Sequence, residues 1–163
     1  MPVTHRTKND LPKATRDKVT ALLNARLADA ADFTMASKQA HWNIKGPQFM
    51  QLHKLFDDVY SMASAQVDQI AERVVQLGGT ADGTLQSAAK NTSLKPYPTK
   101  LVGGRDHVEA LSTMMAAFGK FVRDGIALTA EWGDADTSDM LTEISRDLDK
   151  QLWFVEAHLE GGR

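Results

Sequence analysis

The chain has 163 residues, 42% of them hydrophobic and 25% charged, with a formal net charge of −2. That is enough for one domain with a substantial core, and the composition is globular rather than disordered. The absence of cysteine excludes disulfides, thiolate zinc sites and iron–sulfur ligation, while the near-neutral charge argues against a chain that is basic throughout.

The charge is uneven. Arg6, Lys8, Lys13, Arg16 and Lys18 outnumber Asp10 and Asp17 at the start, so the remainder is acidic on balance. Residues 1–10 read as a short, flexible basic tail and residues 11–163 as the folded domain. Met1 to Asp10 is polar, without an apolar leader, and no apolar run approaches the length of a membrane span. A cytoplasmic protein with no membrane partner is expected.

A first helix is entered after Leu11 and Pro12, carries Val19, Leu23, Leu27, Phe33 and Ala40 on its apolar side, and ends near Gly46 and Pro47. A second, from about 48 to 77, contains no glycine or proline and stops at Gly78 and Gly79. The short turn between them makes an antiparallel pair. Residues 80–104, interrupted by Gly83, Pro96, Pro98, Gly103 and Gly104, form a long connection with a short helical turn around 85–89. A connection of that length can run the height of a bundle, which sets the third helix, about 105 to 131, parallel to the second. Trp132, Gly133 and Asp134 close it; Asp136, Thr137 and Ser138 are the N-cap candidates of a fourth helix that Gly161 and Gly162 end. The expected fold is all-α, a ferritin-like four-helix bundle with a long crossover between the second and third helices.

The second helix carries the chemistry. His53 and Asp57, then Asp68 and Glu72, are two i,i+4 pairs of metal-ligand type on one face, about 140° from the apolar stripe of Leu52, Leu55, Phe56, Val59, Ala63, Val67, Ile70 and Val74. Asp57 and Asp68 are separated by about 16 Å of helix axis, too far to share one or two ions. One chain therefore cannot close the site. The pairs His53/Glu72 and Asp57/Asp68 share one midpoint, between Met62 and Ala63, so a second copy laid antiparallel brings His53 opposite Glu72 and Asp57 opposite Asp68. Ser61, Ser64 and Ala65 between the pairs are small enough for two helices to cross there. His41 and His53 stand equally far from Pro47 along the chain, at similar heights on neighbouring helices, which adds a donor to each half-site.

Ligands of this type, without thiols, suit Fe(II), Mn(II) or Zn(II) alike. The Glu-x-x-His motif of single-chain di-iron bundles is absent. For one i,i+4 pair a solvated polar face is the simpler account; two pairs with a common midpoint favour metal.

The run Lys38-Gln39-Ala40-His41-Trp42-Asn43 with Gly46, then His53-x-x-x-Asp57, Asp68-x-x-x-Glu72-Arg73 and Val75-Gln76-Leu77-Gly78-Gly79, resembles the signature of the Dps family, the bacterial mini-ferritins. The likeness continues through Ser145-Arg146-Asp147-Leu148-Asp149-Lys150 and Leu152-Trp153-Phe154. The resemblance implies a dodecameric hollow shell with ferroxidase centres at its dimer interfaces. His41, His53 and Asp57 would come from one subunit and Asp68 and Glu72 from its two-fold mate. It implies Fe(II) oxidation, with hydrogen peroxide preferred to dioxygen, and storage of ferric mineral inside, protecting the cell from oxidative damage. Trp42, next to a ligand, would intercept stray oxidising equivalents, unless it serves in buried packing.

The resemblance also sets Asp134, Asp139 and Glu143 around three-fold pores that admit iron, Asp139 foremost, against the simpler account of acids complementing a helix dipole. His5, His107 and His158 have no partner at ligand spacing and are expected at the surface, and Met114 and Met115 in the core. The alternative function is a nucleoid-associated protein that compacts DNA through basic N-terminal tails, weak singly but summed over many subunits. A third reading is a zinc or manganese assembly without oxidase activity.

Overall fold

The computed structural model describes residues 5–160. Among the described residues there are five helices: α1 (Lys13–Asn43), α2 (Phe49–Gln76), α3 (Leu85–Asn91), α4 (Gly104–Glu131) and α5 (Ala135–Glu156). Among the described residues there is no β-strand, only one isolated parallel bridge, Lys45 with Gly103. No helix there is long and apolar enough to cross a membrane.

Packing follows the apolar stripes. On α2 the buried positions are Leu52, Phe56, Val59, Ala63, Gln66, Ile70 and Val74, at three- and four-residue spacing. They meet Leu23, Leu27 and Phe33 of α1, Leu111, Met115, Phe118 and Val122 of α4, and Leu141, Ile144 and Leu148 of α5 in one core. Phe33 and Phe118, fully buried, face each other with ring centres 5.7 Å apart. Met114 is buried as expected, while Gln66 is the exception on α2, an amide in the core with neither end hydrogen-bonded.

Three polar contacts set the helix directions. Arg16 Nη1 on α1 donates to Leu77 O at the end of α2 (3.0 Å), and Thr15 donates to Trp132 O at the end of α4. Arg73 Nε near the end of α2 donates to Thr137 at the start of α5 (2.8 Å). Helices α2 and α4 therefore run the same way, with α1 and α5 opposed to them. The segment between α2 and α4 traverses the molecule and is anchored midway on α1, where Asp29 accepts from Ser93 N at 2.6 Å and Asp32 from the Thr92 hydroxyl at 2.9 Å.

Local signals explain most boundaries. Pro12 precedes the first residue of α1 and lacks the N–H that a helix start leaves unpaired. Gly78, at φ +85°, turns the chain out of α2 where a side chain would be strained. The cap of α5 differs from expectation. Gly133, at φ +84°, brings Asp134 round to accept from Thr137 N (3.0 Å), so Asp134 holds the N-cap and Asp136, Thr137 and Ser138 lie inside the helix. Helix α5 ends at Glu156, ahead of Gly161 and Gly162, which lie outside the described residues.

His107 overturns its expected surface position. It is buried, its Nε2 donating to Leu101 O (3.2 Å) while its Nδ1 accepts from the Tyr97 hydroxyl (2.8 Å). Both partners come from the connection, where no helical spacing could announce them.

Candidate metal centre

The turn between α1 and α2 sets two imidazoles face to face. The rings of His41 and His53 are stacked, centres 3.7 Å apart at 20°. His41 Nδ1 lies 2.6 Å from His53 O, and His53 Nδ1 lies 2.8 Å from His41 O. A carbonyl can only accept, so both Nδ1 atoms carry the proton, which in the neutral rings leaves each Nε2 with a free lone pair. The exchange has a local cause. His41 O belongs to the last turn of α1, and Lys45 N, which would have reached back to it, donates to Val102 O instead. His53 caps that carbonyl.

Asp57 follows one turn after His53. It is paired with Lys38 of α1, whose ammonium also lies 4.4 Å from the centre of the Tyr60 ring. The hydrogen bond from Lys38 and its charge hold the Asp57 carboxyl below the ordinary carboxylate range. Sequence reasoning missed Lys38 as a counter-charge. Its signal was present, one helical turn before His41 within a run already singled out.

Asp68 and Glu72 are exposed on the same helix and make no hydrogen bond or ion pair with any described residue. Among the described residues no three His, Asp or Glu side chains of this one chain converge tightly enough to hold an ion. The structure stacks His41 and His53 at one end of α2, with Asp57 one turn further along and paired with Lys38, and leaves Asp68 and Glu72 apart, toward the other end.

The surface between them suits contact with another helix. Ser61, Ser64 and Ala65 are exposed, as are the large apolar Trp42 (60%) next to His41 and Met50 (55%) and Val75 (55%) toward the two ends of α2. Large apolar side chains left to water beside a polar centre mark an interaction face. Trp42 has no buried packing role within the described chain.

Of the three acids expected at a pore, Asp134 is committed elsewhere. It is buried, caps α5, and binds Arg73 at 2.8 Å. Asp139 and Glu143 are exposed one turn apart on α5, and Asp139 lines an open hollow of about 360 Å³ with Ala130, Gly133 and Ser138. The basic start of the chain is held down: His5 N donates to Gly78 O at 2.6 Å and the Thr7 hydroxyl to Gln76 O at 3.4 Å, while Arg6 and Lys8 are exposed. Residues 1–4 lie outside the described residues.

An all-helical subunit with paired imidazoles and carboxylates on its long helices is of the ferritin-like class, and residues 20–163 match the family model for the ferritin-like domain. Within that class the chain belongs to the Dps family. It is 47% identical to the DNA protection during starvation protein of Agrobacterium fabrum, over 96% of this chain and 97% of the relative. It superposes on Dps from Mycobacterium smegmatis with a TM-score of 0.92 at 28% identity, covering 98% and 96% of the two chains. A Dps protein from Vibrio cholerae, described as one of the ferritin-like diiron-carboxylate proteins, gives 0.89 at 27% identity over 94% and 96%. Membership in this family carries iron storage and ferroxidase activity as its general function.

Proposed function

We propose that the protein oxidises Fe(II) at centres shared between two subunits and stores the ferric product inside a dodecameric shell built from ferritin-like four-helix bundles with a long crossover. The observation that carries this reading is the division of the candidate ligands: His41 and His53 are stacked with Asp57 one turn on, and Asp68 and Glu72 are exposed with no hydrogen-bond or ion-pair partner among the described residues. An antiparallel mate across Ser61, Ser64 and Ala65 completes two identical centres, which is the self-complementarity a two-fold contact demands.

Iron is the substrate. Two ferrous ions at one centre each give one electron to a hydrogen peroxide molecule; its O–O bond breaks, two protons are taken up, and two waters leave with two ferric ions. Consuming peroxide by paired electrons avoids hydroxyl radical, and hard carboxylates favour the ferric product. The chain's own residues set the stage: the Nε2 lone pairs of His41 and His53 and the carboxylates of Asp57, Asp68 and Glu72 bind, Trp42 beside them intercepts stray oxidation, and Asp139 and Glu143 guide cations at the shell's pores. We place the shell in the cytoplasm.

The test is Fe(II) oxidation driven by peroxide and, separately, by dioxygen, followed by sizing of the assembly and its iron content. Fast oxidation by peroxide with iron retained in a dodecamer is expected; a shell that binds zinc or manganese and leaves Fe(II) unoxidised would overturn the reading.

A second reading, DNA compaction, is favoured by the names of the curated relatives, which describe DNA protection, and by the exposure of Arg6 and Lys8. The hydrogen bonds of His5 and Thr7 to the end of α2 work against it as an arm ten residues long.

A further inference from the structure

We infer that Phe49 is a positioning residue of the proposed centre, the aromatic clamp that fixes the direction in which His53 offers its Nε2. The inference rests on the ferroxidase reading. Phe49 is the first residue of α2, and its ring is stacked on His53 with centres 5.0 Å apart at 29°. His41 stacks on the same imidazole at 3.7 Å, and His41 O holds Nδ1. Two stacked rings and the hydrogen bond at Nδ1 thus hold the imidazole, and its Nε2 has no partner among the described residues.

Phe49 is not spent in the core. Phe33, Phe56 and Phe118 are fully buried, whereas Phe49 is 39% exposed. Its backbone is fixed independently of the ring, because Phe49 N donates to Gly46 O at 3.0 Å, in the turn where Gly46 adopts φ +118°. The turn therefore presents the ring, and the ring holds the histidine. A metal ligand must point within about 10–20° of the productive direction. With one face uncovered, His53 keeps its hydrogen bond to His41 O but can rock about it, and the open edge swings. Groups that orient a ligand from behind typically change metal affinity by about 10–100-fold when removed.

The experiment titrates Co(II) alone into the intact, metal-stripped assembly under nitrogen, reading affinity by calorimetry and coordination by the visible d–d bands. Phe49→Leu keeps apolar area but removes the aromatic face; Phe49→Tyr keeps the face. Affinity about tenfold weaker and altered bands in Phe49→Leu, with native values restored in Phe49→Tyr and the shell size unchanged in both, is the expected result. Native affinity and bands in Phe49→Leu would overturn the inference, as would a Phe49→Tyr protein as impaired as Phe49→Leu. The ferroxidase reading fails separately: there the native assembly would bind no Co(II), or bind it unchanged after Asp68→Ala and Glu72→Ala.

Discussion

Arg73 and Asp134 join the helix that bears Asp68 and Glu72 to the start of α5. The guanidinium Nη2 lies 2.8 Å from Asp134 Oδ1, and the two side chains are only 11% and 1% exposed. Arg73 Nε also donates to Thr137 Oγ1, whose own proton goes to Asp134 Oδ2 at 2.6 Å. Removing the arginine strands a buried carboxylate, which costs about 3–5 kcal/mol. Arg73→Met should show that loss in urea unfolding, whereas Asp134→Asn, which retains a good N-cap, should lose less. A cost under about 1 kcal/mol for Arg73→Met would mean that Asp134 finds water instead.

Complementation tests the shared centre. Chains carrying His53→Ala with Asp57→Ala, and chains carrying Asp68→Ala with Glu72→Ala, should each form inactive shells. Hybrid shells should regain part of the native rate, because some interfaces then hold one whole centre. Confirmed hybrids with no recovered oxidation would rule out ligands supplied by two subunits.

At the proposed pore, Asp139→Asn should slow Fe(II) uptake several-fold at low ionic strength and leave Co(II) binding at the centre unchanged. Added salt should shrink the difference, since a carboxylate ring steers cations through a field that screening weakens. Equal uptake rates at low salt would remove Asp139 from that role.

The buried His107 makes the connection sensitive to acid. Burial pushes its pKa below the ordinary value of 6.5, and burial likewise raises the Tyr97 phenol, so the pair is neutral around pH 7. The unfolded chain takes up a proton that the folded chain refuses. Stability is therefore complete above about pH 6.5 and falls as the pH drops through the folded value. Thermal unfolding from pH 7.5 to 5, with amide exchange in residues 93–103, should show that loss, and His107→Phe should flatten the dependence. The same slope in the variant would assign it to other groups.

Any DNA binding should be nonspecific and steeply salt-dependent, because the basic charge is clustered in residues 6–18 and no base-reading motif is present. Deleting residues 1–9 should abolish gel retardation and spare Fe(II) oxidation. Retardation by the truncated shell would point to a different surface.

What was legible in the sequence follows a physical rule. The helices and the His53, Asp57, Asp68, Glu72 face could be read because helical spacing records which side chains share a side. The short helix expected at about 85–89 inside the connection is found as α3, which starts at Leu85 and runs two residues further, to Asn91. Contacts between distant residues left no such record: His107 meets Tyr97 and Leu101 across a loop, and Arg73 meets Asp134 from sixty-one positions earlier. Lys38 stood inside a recognised run and Phe49 at the start of the expected second helix, yet their roles depend on which neighbour each side chain leans against. Gln66 follows the apolar spacing of α2 and gave no sign that an amide would be buried there.

The hydrogen bonds exchanged by His41 and His53 also bear on inheritance. His53 closes the frayed end of α1 through His41 O, so the residue that would hold iron is also the one that finishes a helix. A substitution at His53 removes a ligand and reopens the end of α1 in the same stroke. A lineage that no longer needed to oxidise iron would still be held to this histidine by the demands of its fold. Loss of the centre should therefore begin at Asp68 and Glu72, the two carboxylates that the lone subunit can spare.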